Sequence, residues 1–170
     1  MALIRDRKHA PDPWQLLEPG PDGAPSEVPT TGDAIVPLAT WQTLRKQLPA
    51  RSGRLGVWLA ESDEPAEIAG DFRHLRLIAV RFPRASDGRG YSLGRLLRDR
   101  HGWQGELRAI GDIQRDHLHF LARCGFDAFD LREGEDMQAA LAAFDDFSEA
   151  YQASVDRPLP LFRRRAAPSS

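Results

Sequence analysis

One stretch gathers residue types suited to holding an anion: Phe82-Pro83-Arg84-Ala85-Ser86-Asp87-Gly88-Arg89-Gly90-Tyr91-Ser92. An arginine guanidinium presents paired N–H donors that match a carboxylate, sulfate or phosphate two oxygens at a time. Gly88 and Gly90 would let the backbone turn sharply, and a helix starting directly after such a loop stabilises negative charge at its first N–H groups. Arg84, Asp87, Gly88, Arg89, Gly90 and Ser92 are therefore the candidate anion-binding set. Their spacing matches neither the P-loop nor the dinucleotide fingerprint. An ordinary glycine-rich turn is the competing reading. Asp112 ends a later strand and is the candidate catalytic acid/base, although capping the next helix would explain its position fully and is the favoured reading.

Other reactive types are sparse. Cys124 is the single cysteine, which excludes an intramolecular disulfide and a thiolate cluster for zinc or iron–sulfur. It falls on an inner helix face, as a buried thiol does. His117 and His119, two apart on a helix, cannot converge on one metal ion. His101 belongs near a helix C-terminus, where its charge is favourable. No serine triad or His-Glu-x-x-His pair stands out, so no metal and no cofactor are expected.

The elements that would position these residues alternate. Apolar runs begin at residues 55, 75, 106 and 128, with a helical pattern between each pair. That alternation predicts α/β architecture: repeated βα units, a mainly parallel sheet and right-handed crossovers. Order alone leaves open whether the sheet is flat or part of a (β/α) barrel. Binding residues gather at the C-terminal ends of such strands, an edge that would carry Glu61, Arg84, Asp87, Arg89, Asp112 and Arg132.

The helix after residue 82 is capped by Asp87 or Ser92 and stopped by Gly102, with Trp103 folding back on its last turn. Asp112 would cap a helix over 113–124, ended by Gly125 and Phe126. Thr40 would cap a helix stopped by Pro49, and Asp63 a short one through Ile68. Asp136 opens the clearest amphipathic pattern, Met137, Ala140, Leu141, Phe144, Phe147 and Tyr151. Residues 35–36 fit a brief strand, while 2–4 and 14–17 fit a small antiparallel pair. Residues 18–32 hold four prolines and three glycines and read as a linker with little to bury. The division expected is 1–33 as N-terminal extension and linker, 34–155 as a single α/β domain, and 156–170 as a flexible Arg-rich tail.

At 170 residues with a net charge of −2, the chain suits one soluble domain rather than a nucleic-acid binder. The charge is uneven, since residues 81–108 hold seven arginines against three acids. A small anion or an acidic partner face fits that surplus; so does plain preference for arginine, which outnumbers lysine 21 to 2. The N-terminus reaches charge too early for a signal peptide, and no stretch approaches the ~20 apolar residues of a membrane span. A cytoplasmic location is the expectation.

The string from Phe82-Pro83 through Asp87-Gly88-Arg89-Gly90-Tyr91-Ser92 to Arg95-Leu96-Leu97-Arg98 continues in Gly105-Glu106-Leu107-Arg108-Ala109-Ile110-Gly111-Asp112. With Arg123-Cys124-Gly125-Phe126-Asp127-Ala128-Phe129 it resembles an uncharacterised bacterial family of unknown function, over about residues 34–155. That family is typically encoded beside assimilatory sulfite reductase and carries the label of an oxidoreductase of sulfite reduction. The resemblance implies an accessory protein of sulfur assimilation, with sulfite reductase or another protein of that process as partner, or a small oxyanion as ligand. It brings no catalytic residue with it, and the chain's own residues provide no redox ligands. The alternative is a small (β/α)-type enzyme acting on an anionic metabolite, with Asp112 as base and Arg84 and Arg89 as clamps. A purely structural subunit is a third. A carboxylate–arginine cluster in a pocket would favour the enzyme, and an exposed apolar patch would favour the partner-binding protein.

Overall fold

The computed structural model describes residues 2–47, 51–84 and 88–144. Eight strands form one sheet: β1 (Ala2–Arg5), β2 (Lys8–Ala10), β3 (Trp14–Leu16), β4 (Asp33–Pro37), β5 (Leu55–Leu59), β6 (Leu77–Phe82), β7 (Glu106–Gly111) and β8 (Ala128–Leu131). The spatial order is β2-β1-β8-β7-β6-β5-β4-β3. Strands β3 to β8 run parallel in chain order, and β1 and β2 add an antiparallel edge. The helices described are α1 (Leu38–Leu44), α2 (Ala66–Ala69), α3 (Gly88–Asp99), α4 (Leu118–Arg123) and α5 (Met137–Ala142). This is the α/β fold expected, and the sheet curls into a partial barrel.

Covalent reach shows why the sheet must curl. β2 and β3 are its opposite edges, yet only residues 11–13 join them. Four Cα steps span at most about 14 Å. A flat sheet of eight strands would hold those edges roughly 34 Å apart. Residues 11–13 therefore bridge the seam of the barrel.

Curling divides the side chains by strand parity. Val36, Val57, Ile78, Val80, Phe82, Leu107, Ala109 and Phe129 belong to the larger core, with Leu93, Leu97, Leu118 and Leu121 from the helices. The opposite, inner face carries Trp14, Ile35, Trp58, Leu77, Ala79 and Ile110. Burial on both sides explains why β5 and β6 read as nearly continuous apolar runs.

Arg108 shares the inner face and is 1% exposed. Its guanidinium lies 2.9 Å from Asp12, on the seam-crossing segment, and 2.7 Å from Glu106. The seam is thus tied to the barrel interior by charge.

Several expectations are corrected. Residues 2–4 and 14–17 do not pair. β1 folds back on β2 through Asp6 and Arg7, both in the left-handed region (φ 51° and 60°), the geometry of a tight two-residue hairpin turn. β3 instead adds parallel to β4, and Trp58 Nε1 donates to the Leu17 carbonyl to fix its end.

Residues 18–32 are no loose linker. Ser26 is buried, its N–H donating to Thr40 Oγ1, while Arg51 donates to the carbonyls of Pro29 and Thr31. Thr40 consequently lies inside α1 rather than capping it. Asp63 accepts from the Ala60 N–H, and α2 begins after it, behind Pro65. Asp136 does cap α5, accepting from the Gln138 and Ala139 N–H groups. Gly102 and Gly125 close α3 and α4 at positive φ, with Trp103 and Phe126 buried after them. Phe147, Tyr151 and the tail 156–170 lie outside the described residues.

No helix among the described residues is long and apolar enough to cross a membrane.

Candidate functional site

The C-terminal ends of β6, β7 and β8 open onto a cavity of about 480 Å³. Arg81, Ile110 and Asp130 reach it from the strands, Asp112 and Arg132 from the loops beyond them, and Leu16 and Glu18 from the chain leaving β3. Such a volume suits a small metabolite.

The loops are placed by backbone bonds. Gly111 adopts φ 104°, and a Cβ there would sit 2.3 Å from the Phe82 carbonyl oxygen. Only glycine fits that turn, which lets the Asp112 N–H donate to the same oxygen. The Arg132 N–H donates to the Ile113 carbonyl and draws the loop after β8 alongside. Arg132 NH1 then lies 3.2 Å from Asp112, and its Nε lies 3.1 Å from Glu135.

Arg81 is held more rigidly. Its guanidinium lies 4.0 Å from the ring centroid of Trp58 and donates from both terminal nitrogens to the two carboxylate oxygens of Glu18, one bond at 2.7 Å. Stacking on a buried indole and a bidentate carboxylate fix the planar fork in one orientation. The guanidinium beside Glu18 holds that carboxyl below its ordinary value. Asp130 behaves in the opposite way. It is buried, its Oδ1 meets no donor among the described residues, and burial pushes its carboxyl up despite the opposing pull of Arg108.

The expected residues divide between two places. Asp112 and Arg132 stand at the cavity. Asp112 does not cap the next helix, whose first turn, a 3-10 turn at Arg115–His117, begins after Gln114; its carboxylate accepts from Gln114 Nε2 and from Arg132. Gly88, Arg89 and Ser92 line a separate groove of about 490 Å³, opposite Glu61, Asp63 and Glu64. Three carboxylates facing one arginine make that groove a poor host for an anion. Arg84 is exposed at the end of the strand, and Asp87 lies outside the described residues.

Ser92 lies within α3, its Oγ donating to the Gly88 carbonyl, so it does not cap the helix. Gly90 serves packing rather than ligand approach, since a Cβ there would lie 2.4 Å from the Phe82 ring. Gly94, one turn on, stands in the same relation to Phe126. This glycine pair lets α3 lie flat on two aromatic rings.

Glu18, Arg81, Asp130 and Glu133 are the charged cavity residues that sequence reasoning did not select. Glu18 falls in the apparent linker, and Arg81 and Asp130 sit inside apolar strands. Charged residues embedded in such strands are the signal that could have found them, because burial there demands a reason. Among the described residues, no group of three or more His, Cys, Asp and Glu is placed to hold a metal ion. Large apolar side chains stand exposed singly, Leu96 on α3 and Phe120 on α4.

No curated protein shows a significant match to the chain. The model of a bacterial family of unknown function, DUF934, matches residues 56–162. That span runs from β5 past α5 and takes in the strands whose ends form the cavity, as well as Gly90 and Gly94 beneath α3. By this match over more than half its length, the chain belongs to the DUF934 family.

Proposed function

We propose that this protein binds a small anion-bearing metabolite of sulfite reduction at the C-terminal mouth of its partial barrel, and that it acts beside sulfite reductase. The observation that carries the binding reading is the convergence of Arg81, Arg132, Asp112 and Asp130 on one cavity of about 480 Å³. A carboxylate–arginine cluster in a pocket is what separates a metabolite site from a docking face. The isolated exposure of Leu96 and Phe120 is ordinary for a soluble surface. The place in sulfite reduction rests on the family resemblance.

Arg81, already presented as a flat fork on Trp58, would take a carboxylate, sulfonate or sulfite in the manner of Glu18. Arg132 would close over the ligand from the loop after β8. With Cys124 as its single cysteine, the chain has too few thiolates to ligate an iron–sulfur cluster. Its contribution would be to bind and orient.

Asp112 gives the catalytic alternative a definite form. A carboxylate at the rim, 3.2 Å from Arg132, is placed to move a proton on a ligand held by that arginine. Thermal unfolding with sulfite, sulfate, phosphate and short sulfonates, at matched ionic strength and low millimolar concentration, tests binding. A Tm raised by sulfite or a sulfonate beyond the general salting effect of sulfate supports the reading. Identical responses to all of them refute it. Turnover of the bound compound, lost in Asp112→Asn, would establish the enzyme.

A further inference from the structure

Asp130 is a buried carboxylate that feels the charges of Arg108 and the N-terminal ammonium, but no donor among the described residues reaches its Oδ1. It sits on β8, is only 7% exposed, and lines the cavity. Leaving a buried acceptor unmade costs stability, and a charged one costs more. The nearby guanidinium groups are engaged elsewhere: Arg81 with Glu18, Arg132 with Asp112 and Glu135, and Arg108 with Asp12 and Glu106.

The balance of charge around the cavity points the same way. Glu18, Asp112, Asp130 and Glu133 face two arginines, Arg81 and Arg132. A bare oxyanion would compete with carboxylates for the arginines and leave Asp130 as it is. A ligand that also carries a positive or strongly donating group meets both needs. Glu18 is the carboxylate such a ligand would displace, because its side chain is 59% exposed and returns to water at little cost.

Taking the cavity to be the ligand site proposed above, we infer that its ligand is a short zwitterion, an amino-sulfonate or amino-carboxylate, with its anionic end on Arg81 and Arg132 and its ammonium on Asp130. The apolar side chains of Leu16 and Ile110, which also line the cavity, suit the one or two methylenes between those ends. An ammonium beside Asp130 would offset the burial that now pushes its carboxyl up. Asp130 is then a specificity residue, and the family's ligand is an amine as well as an anion.

Calorimetric titration of the full chain with matched pairs tests this: 2-aminoethanesulfonate against ethanesulfonate, and β-alanine against propionate. The amine-bearing member of at least one pair is expected to bind at least tenfold more tightly than its partner. Asp130→Asn should shrink that margin to within about twofold, whereas a merely structural role would weaken both members alike and leave the ratio intact. The wild-type comparison stands by itself should the variant fold poorly. Equal affinities within each pair, or a margin that survives Asp130→Asn, overturn the inference and leave the anion site standing. Binding of none of these compounds and of no oxyanion removes both.

Discussion

Burying Asp130 with no donor to its Oδ1 among the described residues has a cost that depends on pH. Its folded pKa is raised by burial, so the native state holds the proton to higher pH than the unfolded chain. Stability contributed by this group is therefore greatest below its unfolded value and declines as pH rises through the folded one. Asp130→Asn removes the ionised form and should raise Tm near neutral pH. About 1 kcal/mol corresponds to roughly 2–4 °C for a chain of this size, and the gain should vanish in acid. Differential scanning at pH 4 and pH 7.5 checks both halves of that expectation.

Gly90→Ala should cost about 1–3 kcal/mol, because the added methyl meets the Phe82 ring at 2.4 Å. Urea unfolding measures it, and Gly88→Ala, where a Cβ meets nothing within 4 Å, is the control. Asp112 and Arg132 were legible as edge residues from strand order alone. Asp130 and Arg81 were not, since a charge inside an apolar strand acquires meaning only when register decides which face it shares.

Among the elements, the βα repeats were readable because apolar runs alternate with helical patterns, two of which end at glycine. The capping glycines Gly102 and Gly125, the closing residues Trp103 and Phe126, and the Asp136 cap all sit where local rules put them. The first 32 residues were harder. Asp6-Arg7 makes a left-handed turn without the usual glycine or asparagine, so β1 and β2 gave no hairpin signal. Residues 18–32 were misjudged because composition counts prolines and glycines but not the Ser26–Thr40 bond. Removing that acceptor by Thr40→Val should cost about 1–2 kcal/mol. Deleting 18–32 should lower Tm by more than a few degrees, and thermal unfolding followed by circular dichroism distinguishes that from a dispensable linker.

At the scale of the whole molecule, curling turns an eight-stranded sheet into a partial barrel with a cavity at the C-terminal ends of its strands. Strand order could not decide this in advance, because closure depends on the short connection across the seam. The consequence is functional: β3 brings Leu16 and Glu18 over strands from the far side of the sheet, so one cavity draws on both ends of the sheet's strand order. The groove beside α3, lined by Gly88, Arg89 and Ser92 of the conspicuous glycine–arginine string, is acidic on its opposite wall. Gly90 of that string serves packing, and the mouth beside it is where we propose that the ligand binds.

The most direct test of that claim compares three variants in one experiment: Arg81→Ala, Arg132→Ala and Arg89→Ala, each titrated with sulfite and followed by thermal unfolding at constant ionic strength. A ligand at ~100 times its Kd contributes about 2.7 kcal/mol, which is a shift of several degrees. Arg89→Ala is expected to keep the full shift, while Arg81→Ala and Arg132→Ala each lose most of it. Loss of the shift in Arg89→Ala, with the other two responding like wild type, would place the ligand in the groove beside α3 and rule out the cavity at the strand ends as its site.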